Sequence, residues 1–315
     1  MKVLSLFDGM SCGRLALDRA NISVEKYYAS ELDKYAIKVA QANYPNTVQL
    51  GDVTKWKEWD IDWSSIDLLI GGSPCQGFSF AGKQLAFDDP RSALFFMYVD
   101  ILNHIKSVNP DVRFMLENVR MKKEYLDIIS EQLEVEPVFI NSALVSAQNR
   151  QRYYWANWEV SQPEDKGIVL ADIIEEGFVD RDKSFCIDAN YYKGGSLKNY
   201  LEKKRRQIVL SQSEKRLMIL QTARGKNPGG FRAIDGKTPS LSSSSWEHNN
   251  HLTDGQIYRK LTPIECERLQ TVPDNYTNHV SNTQRHKMLG NGWTVDVIAH
   301  IFSCLATQVL FKEVA

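Results

Sequence analysis

The chain has 315 residues, 43% of them hydrophobic, and a formal net charge of −1. That is enough apolar material for one large domain and a smaller one, and it excludes a disordered chain. Its cysteines (Cys12, Cys75, Cys186, Cys266 and Cys304) are odd in number, scattered and without C-x-x-C spacing, which excludes a disulfide framework and a zinc site and fits a reducing compartment.

The small net charge conceals an uneven distribution. Between Arg181 and Arg232 thirteen basic residues face four acidic ones, a local +9, so the rest of the chain carries −10. A basic segment set into an acidic body suits a protein that grips phosphate with one part and does its chemistry with another. The opening Met1-Lys2 and the apolar run Val3–Phe7 end at Asp8, too soon for a signal peptide. The apolar stretch Val295–Phe311 is interrupted by Asp296, His300 and Gln308, as in a packed helix rather than a membrane span. A soluble, intracellular protein is the expectation.

Up to about residue 157 short apolar runs alternate with segments of helical period, the pattern of a parallel sheet with crossover helices. The expected strands are Val3–Phe7, Tyr27–Ser30, Thr47–Leu50, Ile66–Ile70, Arg113–Glu117, Val138–Val145 and Arg152–Asn157. Helices are expected around Gly13–Ala20, Lys34–Asn43, Arg91–Ser107 and Lys122–Leu133. From about Gln162 to Tyr258 the alternation stops and Gly, Ser, Asn and basic residues dominate, marking a second, looser module. After Thr262-Pro263, whose proline suits the first position of a helix, apolar periodicity resumes and runs to the end. The expected division is residues 1–161, 162–258 and a return to the first domain over 259–315.

In such sheets ligands bind at the carboxyl ends of strands. The first strand runs into Phe7-Asp8-Gly9-Met10-Ser11-Cys12-Gly13, a glycine turn that lets backbone approach a nucleotide-like ligand, although alone such a turn serves structure as readily. The second ends at Glu31, whose carboxylate suits two ribose hydroxyls, and the third leads to Asp52, placed for an adenine edge. Each acid alone would be read as a solvated or capping residue; three suitable strand ends in order point to a nucleoside cofactor. The fourth strand opens into Gly71-Gly72-Ser73-Pro74-Cys75-Gln76-Gly77-Phe78-Ser79. The other cysteines read as small buried apolar residues, whereas Cys75 follows a proline in a polar, glycine-rich loop where a thiolate can be exposed. The fifth strand ends in Glu117-Asn118-Val119, and Gln148-Asn149-Arg150-Gln151-Arg152 supplies two arginines two residues apart.

As a set, in order and in spacing, these motifs resemble those of the DNA cytosine-C5 methyltransferases. The likeness continues through Leu261-Thr262-Pro263-x-Glu265-Cys266-x-Arg268-Leu269-Gln270 and Gly290-Asn291-Gly292-Trp293, and leaves out only the variable middle. Asp8-Gly9-Met10 and the Trp293 ending look most like the de novo type of animal enzymes, while the compact length looks bacterial or viral. Ser11 stands where many members have a second glycine, Leu32 where some have an aromatic residue, and Thr271-Val272-Pro273 varies the end of its motif.

The resemblance implies an α/β, Rossmann-like methyltransferase fold that uses S-adenosylmethionine and releases S-adenosylhomocysteine, with a smaller irregular target-recognition domain over 162–258. It implies a covalent bond from Cys75 to carbon 6 of a flipped-out cytosine. Glu117 would hold the N3 and amine edge and Arg152 the O2, with Arg150 buttressing the loop or touching phosphate. Cofactor contacts are expected from Phe7, Asp8, Gly9, Met10, Gly13, Glu31, Leu32, Asp52, Val53, Pro74, Leu94, Asn291 and Trp293. DNA contacts are expected from Gln76 and Ser79 beside the nucleophile, and from Arg224, Lys226, Arg232, Thr238 and Ser240. The loop from Arg224 to Trp246 is the candidate for the major groove, and Lys203-Lys204-Arg205-Arg206 would touch phosphate if anything.

Partners implied are double-stranded DNA and, as a candidate, a cognate restriction endonuclease, for a monomer without a membrane or metal requirement in a bacterial or phage-infected cytoplasm. Three rivals stand beside this reading. One branch of the family shares every catalytic motif and acts on tRNA; the long basic middle module favours DNA. A catalytically dead regulatory subunit is opposed by intact Cys75, Glu117 and Arg152, and a nicotinamide dehydrogenase by the glycine spacing.

Overall fold

The computed structural model describes residues 1–73, 93–194, 200, 203–212, 218–221, 230–233, 251–253 and 256–314. Strands β1 (Lys2–Leu6), β2 (Lys26–Ser30), β3 (Val48–Gln49), β4 (Leu68–Gly71), β5 (Arg113–Val119), β6 (Val138–Asn141) and β8 (Gln151–Ala156) form one seven-stranded sheet in the order β3-β2-β1-β4-β5-β8-β6. β1 lies parallel between β2 and β4, and β5 continues the parallel set. Val3, Leu4 and Leu6 are completely buried, as in a central strand covered on both faces.

Helices α1 (Cys12–Arg19) and α2 (Lys34–Asn43) bury Ala16, Leu17 and Val39 in one apolar layer. Helices α3 (Ala93–Val108) and α4 (Lys123–Leu133) bury Phe95, Tyr98, Leu102 and Ile129 in the other. The winding therefore reverses between β1 and β4, and the crevice outside their carboxyl ends is where a ligand fits such a sheet.

Sequence periodicity leads to an all-parallel sheet, and here the structure differs. β8 is antiparallel to both β5 and β6. The connection from Asn141 to Gln151 holds only a 3-10 turn (Ser142–Leu144) and the short strand β7 (Gln148–Asn149). It is too short for a crossover helix, so the chain turns back and inserts β8 beside β5. The strand expected over Val138–Val145 stops at Asn141, whose side chain accepts from the backbone N–H of Ala143 and of Arg150, both at 3.1 Å.

The middle region holds more order than its composition suggests. β9 (Ser184–Phe185) pairs with β7, β10 (Ile208–Gln212) runs antiparallel to β14 (Gln256–Lys260), and β11 (Met218–Gln221) pairs with β12 (Gly230–Ala233) and β13 (His251–Thr253).

The chain then closes with α5 (Pro263–Leu269), α6 (Asn282–Asn291) and α7 (Val295–Val314). Pro263 opens α5, and Thr262 and Glu265 exchange hydrogen bonds in a capping box. α7 packs beside α1, with Arg19 held by Asp296 at 2.5 Å. Among the described residues no helix is long and apolar enough to cross a membrane.

Candidate active site

The turn after β1 bends sharply: Phe7, Gly9 and Ser11 all take positive φ, 58°, 61° and 62°. Ser11 thus occupies a glycine-like conformation, and its hydroxyl donates to Asp8 Oδ2 at 2.5 Å while its N–H reaches the Asp8 carbonyl at 3.2 Å. A local side-chain hydrogen bond of this kind offsets the cost of the left-handed region. Tyr27 donates to the other oxygen, Oδ1, at 2.7 Å. Burial beneath the turn pushes Asp8 up to about 6, against the pull of Ser11 and Tyr27 and with the help of the nearby Glu31 charge.

Glu31, at the end of β2, ties this turn to the next. Its carboxylate accepts from the backbone N–H of Gly9 at 2.8 Å, Leu32 at 2.7 Å and Asp33 at 2.8 Å. Asp33 caps α2 through Tyr35 and receives Lys287 from α6 at 2.9 Å. Burial opposes the charge on Asp33, but the hydrogen bonds from Lys287 and from the Tyr35 and Ala36 backbone, together with the Lys287 charge, outweigh it and hold the carboxyl below its ordinary range.

Beyond β4, Gly72 stands where no side chain fits: a Cβ there would lie 2.9 Å from both Glu117 Oε2 and Trp293 Nε1. Glu117, near the end of β5, has Arg152 Nε 2.8 Å from its Oε1 and accepts the Trp293 indole N–H on Oε2 at 3.1 Å. Asn118 donates to Ser73 Oγ at 3.2 Å. These groups, with Phe7, Asp8, Gly9, Glu31, Arg150, Lys204, Arg205, Lys287 and Asn291, line one cleft of about 1080 Å³.

Of the residues expected at a cofactor, Phe7, Asp8, Gly9, Glu31, Asn291 and Trp293 line this cleft. The rest take other places. Met10 is buried and its carbonyl accepts Tyr276 at 2.8 Å. A Cβ on Gly13 would lie 2.5 Å from Ile70 and 3.3 Å from Trp293, so close packing by itself requires the glycine. Val53 and Leu94 pack into or against the apolar layer under α3. Leu32 is 69% exposed. Asp52 caps the 3-10 turn Val53–Glu58, and the Thr54 backbone and hydroxyl, both on Oδ1, hold it below the usual carboxylate range. Pro74, Cys75, Gln76, Ser79, Arg224, Lys226, Thr238 and Ser240 lie outside the described residues, and Arg232 is described only as part of β12.

Arg150 and Arg152 do different work although two residues apart. Arg152 meets Glu117, whereas Arg150 is 3% exposed and spends its guanidinium on the carbonyls of Ile187 at 3.1 Å, Gly290 at 3.3 Å and Gly292 at 2.8 Å. Arg150 therefore fastens β7, the loop at Asp188 and the end of α6. Gln148 assists by donating to the Leu269 carbonyl at 2.8 Å and to Gln270 Oε1 at 2.9 Å, while Gln270 donates to Leu289 at 2.6 Å. Sequence reasoning gave Arg150 as a buttress of its loop or a phosphate contact, and missed the partners of this clamp, the Asp33–Lys287 bridge and Cys186, which lines the cleft 3.3 Å from Arg150. No periodicity or strand end marks any of the three. Cys12 is buried and its thiol is pushed up to about 12, chiefly by burial, which removes it as a nucleophile.

A sheet ordered β3-β2-β1-β4-β5-β8-β6, with acids at the ends of β2 and β5 around one crevice, defines the Rossmann-like methyltransferase fold. The chain belongs to the C-5 cytosine-specific DNA methylase family, whose profile matches residues 1–306, and is a DNA cytosine-5 methyltransferase. It is 30% identical to the Type II methyltransferase M1.ScrFI of Lactococcus lactis subsp. cremoris over 99% of this chain and 79% of that one. Against M.HhaI of Haemophilus parahaemolyticus it is 26% identical, covering 99% and 96%. Among solved structures, the Entamoeba histolytica methyltransferase EhMeth superposes with a TM-score of 0.68 at 16% identity, covering 98% of both chains. The S. pombe Dnmt2 methyltransferase gives 0.63 at 18%, covering 98% and 99%.

Proposed function

We propose that this enzyme moves a methyl group from S-adenosylmethionine to carbon 5 of a cytosine flipped out of duplex DNA, through a transient bond between Cys75 and carbon 6. The observation that carries this reading is the Glu117–Arg152 pair, 2.8 Å apart, opening on the same cleft as Asp8, Gly9 and Glu31. The cofactor fits the donor set. The Glu31 oxygens keep lone pairs for ribose hydroxyls beside their backbone bonds; Asp52, beyond the end of β3, would receive an adenine edge and Leu32, 69% exposed, would offer an aliphatic cover. The cofactor supplies a methyl group activated by a positive sulfur.

The chain's own residues must do the rest. Carbon 5 of cytosine is a weak nucleophile until the ring becomes an enamine. The Cys75 thiolate adds to carbon 6, and the electron pair displaced toward N3 is met there by a proton from Glu117. Arg152, on the O2 side, stabilises the charge that builds. After carbon 5 has taken the methyl group, N3 returns its proton to Glu117, the carbon 5 proton leaves to a base, the C5–C6 double bond re-forms and Cys75 departs as thiolate. Arg150, committed to three carbonyls, holds the frame and touches no reacting atom on this reading.

Residues 162–258 are proposed as the target-recognition region, with Gln76, Ser79, Arg224, Lys226, Arg232, Thr238 and Ser240 at the DNA. The Type II names of its relatives support a place beside a restriction endonuclease. Transfer of labelled methyl groups to duplex DNA and to bulk tRNA is the direct test: label in DNA is expected, and label in tRNA alone would remove the reading. Cys75→Ser should abolish turnover while keeping cofactor and DNA affinity, and DNA carrying 5-fluorocytosine should trap the wild-type enzyme covalently.

A further inference from the structure

We propose that Trp293 is a positioning residue for Glu117: its indole N–H holds one carboxylate oxygen so that the acid faces the cytosine instead of collapsing onto Arg152. This inference rests on the reading of Glu117 given above. Arg152 offers a planar fork that favours taking both oxygens of a carboxylate at once. Here Oε2 is engaged by Trp293 at 3.1 Å, while Oε1 lies 2.8 Å from Arg152 Nε and Arg152 Nη1 donates to the Gln151 carbonyl at 2.8 Å. With the indole N–H on one oxygen and the guanidinium beside the other, lone pairs remain for the proton shared with N3 and for the amine hydrogens of a base. An indole N–H donates and cannot take up a proton, so it supports the carboxylate without competing for the proton that Glu117 must move.

The indole is itself held in place. It lies against two glycines at which a Cβ would come within 3.3 Å of its Cζ3 (Gly13) and 2.9 Å of its Nε1 (Gly72). The preceding carbonyl, Gly292, receives Arg150 at 2.8 Å and Gln270 at 3.1 Å, and the following Thr294 donates to Gln270 at 2.9 Å. Backbone fixed on both sides and a ring pinned between glycines are what preorganisation of a supporting group requires. The clamp built on Gln148, Arg150 and Gln270 thereby gains a purpose, since it sets the angle of the group that sets Glu117.

The test separates chemistry from cofactor affinity. In Trp293→Phe the ring stays and the donor goes. Single-turnover methyl transfer at saturating cofactor and DNA is expected to slow by at least about tenfold, the order set by losing one hydrogen bond to a charged group. The cofactor Kd by calorimetry is expected to stay within about twofold, as for an intact apolar ring. Gly72→Ala, whose new methyl pushes Nε1 and Oε2 apart, should show the same split, and it decides the matter if the Phe variant does not fold. The indole proton resonance of Trp293 should move upfield in Glu117→Gln, as a charged acceptor gives way to a neutral one. Folded variants with wild-type transfer rates, or a loss carried entirely by cofactor Kd, would overturn the proposal. A wild-type enzyme that methylates no DNA cytosine would instead overturn the reading on which it rests.

Discussion

Asp8 shows how a site residue can oppose the fold that carries it. Burial raises its pKa from 3.8 to about 6 even though Ser11 and Tyr27 donate to it. Above about pH 6 the folded chain must hold this carboxylate ionised in a place that disfavours the charge, while the unfolded chain ionises it freely. Asp8 therefore works against stability at pH 8, less as pH falls through 6, and not at all below about 4, where it is protonated in both states. The shift corresponds to about 3 kcal/mol at most. Asp8→Asn, which removes the charge and keeps an acceptor, should raise the thermal midpoint at pH 8 and leave it nearly unchanged at pH 4. Calorimetry across that range checks it, and a gain that persisted at pH 4 would show that the charge is not the cause.

At this scale the sequence is informative where chemistry sits at a strand end. Glu31 and Glu117 stand out because a carboxylate there has nothing to do in a core, and the structure puts both in one cleft. Arg150 and Arg152 are indistinguishable by local pattern, and only the family resemblance gives them different roles, since the partners that separate them are brought in from more than thirty residues away.

The elements whose ends carry local chemistry are the most legible. α2 spans Lys34–Asn43 as expected because Asp33 caps it through the Tyr35 N–H at 2.9 Å, and α5 begins at Pro263 behind a Thr262–Glu265 box. The direction of β8 is not legible, because it depends on the length of a connection rather than on the strand's own pattern. Nor are the strands of the middle module, several only two to five residues long, whose pairing is decided by distant partners.

How α5 and α6 hold together is also hidden from the sequence. Glu267 is fully buried and accepts the N–H groups of Asn275 at 2.7 Å and Thr277 at 2.8 Å, the Thr277 hydroxyl, and Arg285 of α6 at 3.0 Å. Removing one member of such a pair leaves the other charge buried and unmatched, at a cost of about 3 to 5 kcal/mol. Glu267→Ala and Arg285→Ala should each destabilise by about that much in urea unfolding. The double variant should lose clearly less than the sum, because one desolvated charge no longer stands alone. Additive losses would mean that the two residues stabilise the fold independently.

For the molecule as a whole, the division of charge makes the sharpest demand. The segment from Arg181 to Arg232 carries +9 against −10 elsewhere, and two of its cations, Lys204 and Arg205, line the cleft. Arg205 is paired with Asp188 at 2.7 Å, while Lys203 and Lys204 are exposed. On the proposed reading the flipped base enters this cleft, so its flanking phosphates must pass the lip where Lys204 stands, with the exposed Lys203 next to it in the chain. An exposed ammonium at that place adds little to the fold but releases a counterion when phosphate arrives. DNA affinity should therefore fall steeply with salt. In Lys203→Gln/Lys204→Gln the slope of log K against log salt should become shallower by roughly 2, about 0.9 for each phosphate that the protein no longer neutralises. Because phosphate carries no base information, the weakening should be the same for target and non-target duplexes. The transfer rate at saturating DNA should stay near wild type, since neither lysine approaches the Glu117–Arg152–Trp293 group within hydrogen-bonding distance. Titrations at several salt concentrations measure the slope and the affinities together, and an unchanged slope would place the duplex on another face of the protein.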